Sequence, residues 1–241
     1  MTEQWERAKV ERVHLVTGEN NEPVCFSGGE WESFFGRVYQ GRLKFESEGG
    51  KRRNLRVAVK VFKDQKWANN TADKFSQAMH DFRKAGIPLP KMFMHRLSEG
   101  DANGFHGKAK AGDLVKVMEL YGSHKGSKLT DLDYSPETNR RIIEYSTKLA
   151  NAGYSAECED FYKMLRGKVK PFDLDLFVVF GSSLPSRVRA QGVLDHIKSL
   201  VKSGNSTHDE LLKEALKHAK PKLKRKIKGL TKNPKWAEEK Y

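Results

Sequence analysis

The sequence has few of the features that mark membrane-spanning, secreted or zinc-binding proteins. It holds two cysteines, Cys25 and Cys158, among 241 residues, too few for a disulfide framework, and no Cys/His spacing indicates zinc. No apolar run approaches the ~20 residues that cross a bilayer, and the charged N-terminus lacks the apolar centre of a secretion signal. These absences predict a protein without a transmembrane segment in a reducing, cytoplasmic compartment.

Apolar residues are nevertheless numerous enough for a folded core. They make up 37% of the chain and aromatic residues 10%, which argues against wholesale disorder. The length is sufficient for one large domain or for two lobes that share a cleft.

Positive charge is concentrated near the C-terminus. The formal net charge is +14, and residues 213–241 hold 11 Lys or Arg against 3 Asp or Glu, so this segment carries eight of the fourteen net charges. Such a basic tail is typical of binding to nucleic acid, an acidic membrane surface or an acidic protein. A solvated end that keeps the protein soluble is the equal alternative. Trp236 and Tyr241 are its aromatic residues, too few to indicate stacking on single-stranded bases.

The first half of the sequence predicts a small antiparallel sheet with one helix across it. The helix is expected over residues 71–85 with Thr71 as its cap, because Phe75, Met79 and Phe82 fall on one face. Extended segments are expected at residues 22–29, 34–45, 55–62, 86–97 and 114–123.

Lys60 occupies an unusual position in the third of these segments. Val57, Val59 and Val61 face one side of the strand, and Lys60 faces the other side with Ala58. A lysine on a half-apolar face is costly unless it has a partner or lines a cleft. An edge lysine whose apolar stem is buried is the alternative interpretation.

The second half is predicted to be mainly helical. Ser135 is expected to cap a helix that has Pro136 at its first position and Gly153 just beyond its end. Further helices are expected from Ser186 onward, with a break at Pro221. With a Gly/Ser-rich connector as the boundary, the expected domains are an N-terminal lobe, a reduced helical lobe and a basic tail, at residues 1–121, 122–212 and 213–241.

The order of these elements and several of their residues resemble the protein-kinase-like fold over about residues 23–180. The stretch "FGRVYQGRL" resembles the end of the kinase Gly-rich loop, and "VAVK" resembles the kinase V-A-I-K strand. "VMELYGS" resembles the hinge, and "KPFDLDLF" resembles the strand that bears the metal-binding aspartate. The resemblance implies an α+β, two-lobed kinase-like fold, with an antiparallel-sheet N-lobe carrying one helix and a reduced, mainly helical C-lobe.

The same resemblance implies a site for ATP and Mg²⁺. Lys60 would pair with the α- and β-phosphates. Asp173 and Asp175, in a D-x-D arrangement, would hold the metal ion. The other nucleotide contacts would come from Gly36, Val38, Ala58, Glu119 and Leu120.

Several residues of the kinase pattern are replaced in this chain. Trp31 and Ser33 stand where the first two loop glycines would fall, Cys158 stands where the catalytic aspartate would be, and Lys163 stands where an asparagine would hold a second metal ion. On the helix, the positions that would carry the lysine-pairing glutamate are Gln77, Ala78 and Asp81. The candidates for a catalytic base in a shifted loop are Glu157, Glu159 and Asp160, with ordinary solvated acids as the alternative.

Three interpretations of function remain open. The first is a pseudokinase that binds a nucleotide through Lys60 and Asp173 and acts through a protein partner. The second is an active, atypical ATP-dependent phosphotransferase whose base is one of the acids at residues 157–160. The third assigns the function to the basic tail, bound to nucleic acid or an acidic surface. The replaced base, asparagine and glycines favour the first.

Overall fold

The structure is a computed structural model, and its residues fall into two compact units. The first unit comprises Met1–Phe75 and Pro90–Leu129, and the second comprises Ser76–Leu89 and Thr130–Tyr241. The residues that the structure describes are 9–15, 32–33, 36–46, 52–89, 92–103, 105, 107, 109–119, 129–130, 132–155, 162–165, 168–171 and 184–237.

The first unit is built on an antiparallel sheet. Its strands are β1 (Lys9–Leu15), β2 (Glu32–Ser33), β3 (Gly36–Glu46), β4 (Arg52–Phe62), β5 (Met92–Arg96) and β6 (Leu114–Glu119). The strand order is β1-β3-β4-β6-β5, with β2 paired to the start of β3, and all of these pairings are antiparallel. The small antiparallel sheet expected from the sequence is therefore confirmed. The described residues form an α+β structure that is compatible with a kinase-like fold.

One face of this sheet carries the apolar core of the first unit. Val57, Val59 and Val61 of β4 are buried there, beside Val115 and Val117 of β6. The core is completed by Tyr39, Leu43, Leu97, Phe105 and Ala109. Burial of each large apolar side chain contributes roughly 1.5–3 kcal/mol. The predicted alternation of β4 is confirmed, because its three valines share this face.

Helix α1 (Gln65–Lys84) begins six residues before its predicted start. Asp64 caps it, because its Oδ1 accepts hydrogen bonds from the backbone N–H groups of Lys66 at 2.8 Å and Trp67 at 3.3 Å. The prediction that Thr71 caps this helix was wrong. Thr71 lies inside the helix, where its hydroxyl donates a hydrogen bond to the Trp67 carbonyl.

Helix α1 ends where the sequence predicts. Gly86 has φ 71°, a left-handed conformation that glycine adopts without strain. The N–H groups of Gly86 and Ile87 bond to the carbonyls of Arg83 and Phe82, which is the Schellman arrangement.

A one-turn helix lies between strands β5 and β6. This helix, α2, spans Glu99–Asn103. The buried carboxylate of Asp101 accepts hydrogen bonds from the N–H and hydroxyl of Ser98, and its Oδ2 lies 3.2 Å from Nε2 of His95. A helix this short carries no apolar periodicity, so its sequence does not reveal it.

The second unit combines helices with a small sheet. The helices are α3 (Pro136–Ala152), α4 (Ser186–Lys202), α5 (His208–His218) and α6 (Pro221–Leu230), followed by a 3₁₀ turn at Pro234–Ala237. The strands β7 (Leu129–Thr130), β8 (Tyr162–Leu165) and β9 (Lys168–Pro171) pair in that order. The hairpin of β8 and β9 was not predicted.

Helix α3 has the boundaries that its sequence predicts. The Ser135 hydroxyl accepts a hydrogen bond from the Thr138 N–H at 3.2 Å, and Pro136 occupies the first helical position. At the other end, Gly153 has φ 109°, and the Tyr154 N–H bonds to the Leu149 carbonyl. Its apolar face is buried and consists of Ile142, Ile143, Tyr145, Leu149 and Ala150.

Helix α4 packs on α3 through apolar and polar contacts. Ser146 of α3 and His196 of α4, both fully buried, are hydrogen-bonded with 2.7 Å between Oγ and Nδ1. The guanidinium of Arg189 donates to the Ala150 carbonyl near the end of α3, where a cation also complements the helix dipole. Burial lowers the pKa of Arg189 from its usual value.

The basic C-terminal segment is helical and packed over most of its length. Residue 213, at which the basic tail is expected to begin, lies within α5. Leu223 and Ile227 of α6 are buried, and the Trp236 ring lies edge-on to His208 with 5.4 Å between centroids. None of the helices that the structure describes is long and apolar enough to span a membrane.

Candidate functional site

The residues expected to contact a nucleotide lie on β3 and β4 of the first unit. In the antiparallel register, Val38 is opposite Lys60 and Gly36 is opposite Phe62. Val38 is half-buried, while Ala58 and Lys60 are buried. Because side chains alternate along a strand, Ala58, Lys60 and Phe62 share the face opposite to the valine core. The structure therefore brings Val38, Ala58 and Lys60 together on one face of the sheet.

Helix α1 covers one end of this second face. Phe62 and Leu114 pack there with Ala68, and the half-buried Trp67 and Met94 extend the cluster. The rings of Phe62 and Trp67 are 5.3 Å apart between centroids. The Gln65 side chain bonds to the backbone of Leu114 at both its N–H and its carbonyl, at 2.7 and 3.2 Å. These contacts fix the first turns of α1 against β6.

Lys60 is one of two buried lysines that face each other across neighbouring strands. It is 2% exposed, and its Nζ lies 5.8 Å from the centroid of the Phe62 ring, within cation–π range. Lys116 of β6 is directly opposite Lys60 in the register and is 1% exposed. Sequence reasoning missed Lys116. The signal was its place in "LVKVME", where it lies out of phase with Val115 and Val117.

This pair of lysines gives the face a chemical preference. Like charges directly opposite each other on a sheet are destabilising, and burial adds a desolvation cost to each ammonium. Two ammonium groups on neighbouring strands also make this face electrostatically positive, which attracts anions. Val38 and Ala58 are the apolar neighbours of Lys60 on this face, so the face combines apolar and positively charged groups, the two kinds of group that contact the base and the phosphates of a nucleotide.

Gly36 has a steric role in this site. A Cβ at this position would overlap the carbonyl oxygen of Val61 and would lie 3.0 Å from Cα of Phe62. The absence of a side chain therefore allows β3 to approach β4 closely. Gly36 was expected to contact a nucleotide, and this packing is a further reason for glycine at the position.

Among the helix residues that stand in place of the kinase glutamate, Asp81 forms hydrogen bonds with nearby side chains. Asp81 accepts hydrogen bonds from Nε2 of Gln77 at 2.9 Å and from the Tyr154 hydroxyl at 3.0 Å. The Tyr154 ring also packs edge-on against Phe82 at 4.7 Å between centroids. Within the second unit, Asp81 therefore ties the end of α1 to the segment after α3.

The remaining predicted site residues are placed in part or not at all. Glu119 lies in β6 opposite Val57, and Lys163 lies in β8 opposite Lys170, so it belongs to a strand. The residues that fall outside the described part of the chain are Leu120, Glu157, Cys158, Glu159, Asp160, Asp173 and Asp175. Among the residues that are described, no group of three His, Cys, Asp or Glu side chains is arranged to hold a metal ion.

A cavity of about 500 Å³ lies in the second unit at the start of α3. Its lining includes groups of both signs, among them Asp133, Arg141 and Lys170. Hydrogen bonds from the Thr138 side chain and the Ser135 N–H lower the pKa of Asp133. This mixture of charges favours no one class of ligand.

No protein-family model matches the sequence, and no curated protein matches it. A crystal structure of a Stt7 homolog from Micromonas algae, soaked with ATP, matches with a TM-score of 0.41 and 14% sequence identity. The match covers 68% of this chain, which spans 49% of the length of that structure.

Proposed function

We propose that this chain has a kinase-like fold and is a nucleotide-binding pseudokinase that acts through protein interactions. The observation that carries the proposal is the placement of Val38, Ala58 and the buried Lys60 on one face of an antiparallel sheet. The two apolar side chains suit the base of ATP, and the ammonium group suits its phosphates. Lys116, opposite Lys60, adds positive charge to the same face.

The other contacts of the proposed nucleotide come from the resemblance to kinases. The backbone around Glu119 and Leu120 would bond to the edge of the base. Asp173 and Asp175 would hold Mg²⁺, which neutralises phosphate charge when it is bound. Gly36 would support the site by allowing the close approach of β3 to β4.

The sequence supports a pseudokinase over an active kinase. Phosphoryl transfer needs a group that receives the proton of the acceptor and ligands that hold the metal ions. Cys158 replaces the carboxylate of the kinase pattern, and the positive charge of Lys163 would repel Mg²⁺. Glu157, Glu159 and Asp160 are the residues through which an active enzyme would have to work.

Nucleotide binding is tested by titrating the protein with a fluorescent ATP analogue in the presence of Mg²⁺. The Lys60→Met variant keeps the length of the side chain and removes its charge. A charge-assisted contact contributes about 1.5–3 kcal/mol, so we expect this variant to bind roughly 10- to 100-fold more weakly. Lys44→Met, at an exposed position of β3, is the matched control and should bind like the wild type. Equal binding by the Lys60→Met variant, or no binding by the wild type, would refute the site.

Phosphotransfer from radiolabelled ATP to generic protein substrates separates the pseudokinase from an active enzyme. We expect the wild type to transfer no more label than Lys60→Met does. If transfer is found and is lost in Glu157→Gln or Asp160→Asn at unchanged thermal stability, the chain is an active, atypical phosphotransferase. The nucleotide site would then stand and the pseudokinase assignment would fall.

A further inference from the structure

A groove of about 460 Å³ lies between α5 and α6 in the second unit. We refer to it as the α5–α6 groove. Leu212 and Leu216 line it and are half-buried, so they form an apolar floor. The cations that line it are Lys213, Lys217, Lys224 and Lys228, and all but the half-buried Lys224 are exposed. The groove therefore combines an apolar floor with a positively charged rim.

Helical periodicity places these residues on the groove side of each helix. Leu223 and Ile227 of α6 are buried, and Lys224 and Lys228 follow each of them by one position. Residues four apart share one face of a helix, so the two lysines form one row. On α5, Leu211 and Ala215 are buried in the same way, and the leucines and lysines of that helix that line the groove follow them by one and two positions.

The corner between the two helices is fixed by one side chain of α3. Asn151 donates through Nδ2 to the His218 carbonyl at 2.8 Å, and its Oδ1 accepts from the Lys220 N–H at 2.9 Å. These two hydrogen bonds satisfy a carbonyl at the end of α5 and an N–H group at the start of α6. The groove is thus preformed, and a ligand does not bear the entropy cost of ordering it.

The charge on the rim selects an acidic ligand. One carboxylate, Asp209, also lines the groove. Lys217 also forms an ion pair with Glu214 at 3.2 Å, and its side chain remains 66% exposed. Four cations against one lining carboxylate leave the rim positive, so acidic side chains are complementary to it.

We propose that the α5–α6 groove binds a helical segment of an acidic protein partner. Leucine-type side chains of that segment would occupy the floor at Leu212 and Leu216, and flanking Asp or Glu side chains would pair with the rim. This is the helix-in-groove mode of recognition, in which apolar anchors repeat at i, i+3, i+4 and i+7. The inference is independent of nucleotide binding, because it uses only residues of α5 and α6.

Two other polyanions fit the groove less well. A nucleic-acid backbone gains nothing from the leucine floor, and it would use the outward-facing Lys222, Arg225 and Lys226 of α6 equally. A membrane-bound helix inserts its apolar face into lipid, but Leu223 and Ile227 of α6 are buried in the protein.

The test uses the full chain and a labelled 18-residue peptide, with binding followed by fluorescence anisotropy. The peptide carries leucines at i, i+3, i+4 and i+7, and Glu elsewhere on the helix. A scrambled peptide of the same composition removes the apolar stripe and keeps the charge. A DNA duplex and phosphatidylserine vesicles serve as the competing polyanions.

Two charge-reversal variants locate the binding surface. The rim variant combines Lys213→Glu with Lys224→Glu. The matched control, Lys222→Glu with Lys226→Glu, makes the same change in net charge at exposed positions of α6 that do not line the groove. Circular dichroism and thermal unfolding verify that both variants are folded, and Leu216→Ala probes the floor.

We expect the striped peptide to bind at least tenfold more tightly than the scrambled one. The rim variant and Leu216→Ala should each weaken this binding, the rim variant by roughly tenfold or more, and the control variant should bind within twofold of the wild type. Equal binding of the two peptides, equal loss in the rim and control variants, tighter binding of the duplex or vesicles, or no binding of the striped peptide would each overturn the proposal.

Discussion

At the scale of single residues, Gly36 shows how closely β3 and β4 approach each other. A methyl group at this position would meet backbone atoms of Val61 and Phe62, which cannot move aside as a flexible side chain can. We therefore expect Gly36→Ala to lower the free energy of unfolding by about 1–3 kcal/mol, as overpacking does in other proteins, measured by urea unfolding.

The control for this variant is a glycine that has room. A methyl group at Gly229 in α6 would point into open space, with no neighbouring group within 4 Å. Gly229→Ala should therefore stabilise the protein by up to ~1 kcal/mol through helix propensity. If both substitutions destabilise equally, or if Gly36→Ala is neutral, the close approach of the two strands is not what requires glycine.

The two buried lysines show what a sequence can and cannot disclose about the site. Lys60 is predictable because the alternation of its own strand puts it on the face opposite to three valines. Lys116 is not, because its importance depends on which residue faces it across β4 and β6, and strand pairing is a non-local property. The role of Glu157, Glu159 or Asp160 as a catalytic base stays a prediction.

At the scale of elements, the helices with strong local signals were predictable. Both ends of α3 are specified by its own residues, Ser135 with Pro136 and Gly153. The start of α1 was missed because Thr71 resembles a cap, whereas the capping oxygen belongs to Asp64. Both Asp64 and Thr71 have side chains that can cap a helix. Because Trp67 and Ala68 pack on the sheet as part of α1, the helix begins after Asp64.

Strand β1 was missed for a different reason. Its pairing with β3 shifts register between Val10 and Arg12, and such an irregularity places an extra residue in one strand. The apolar alternation of "KVERVHL" therefore does not keep the period of two that marks a half-buried strand. Only the partner strand reveals it.

The ion pairs along α3 give a prediction about pH. Burial by itself raises the pKa of Glu144, but Lys148, through its hydrogen bond at 2.7 Å and its charge, and Arg141 outweigh burial and hold the pKa below the ordinary 4.5. A carboxyl with a depressed pKa stabilises the fold above its unfolded pKa and loses this contribution as the pH falls through its folded pKa.

We expect Glu144→Gln to lower the free energy of unfolding at pH 7 by about 0.5–1 kcal/mol. The difference from the wild type should shrink as the pH falls below 4.5 and should vanish once Glu144 is protonated. Urea unfolding across this range measures it, and a double-mutant cycle with Lys148→Gln isolates the pair. A difference that is the same at pH 7 and pH 3 would show that packing rather than charge is responsible.

At the scale of the whole molecule, the net charge of +14 is unevenly distributed along the chain. The segment from residue 213 onward carries eight of these charges, and α6 alone contains five Lys or Arg and no acid. Clustered charges within a Debye length of ~8 Å at physiological salt reinforce one another. We therefore expect two different interactions in this region, the specific one proposed for the α5–α6 groove and a general attraction of polyanions to the outer face of α6.

We expect the general attraction to depend on where the positive charges lie as well as on how many there are. Two triple variants of equal net charge test this. The clustered variant replaces the outward-facing cations of α6: Lys222→Gln, Arg225→Gln and Lys226→Gln. The dispersed variant replaces three exposed lysines of the first unit: Lys44→Gln, Lys66→Gln and Lys110→Gln. We expect both to elute from a heparin column at lower salt than the wild type, and the clustered variant at distinctly lower salt than the dispersed one, because neighbouring charges act together on one polyanion. Identical elution of the two variants would mean that net charge alone governs retention.

Binding of the striped peptide should be insensitive to the clustered replacements, because none of these three side chains lines the groove.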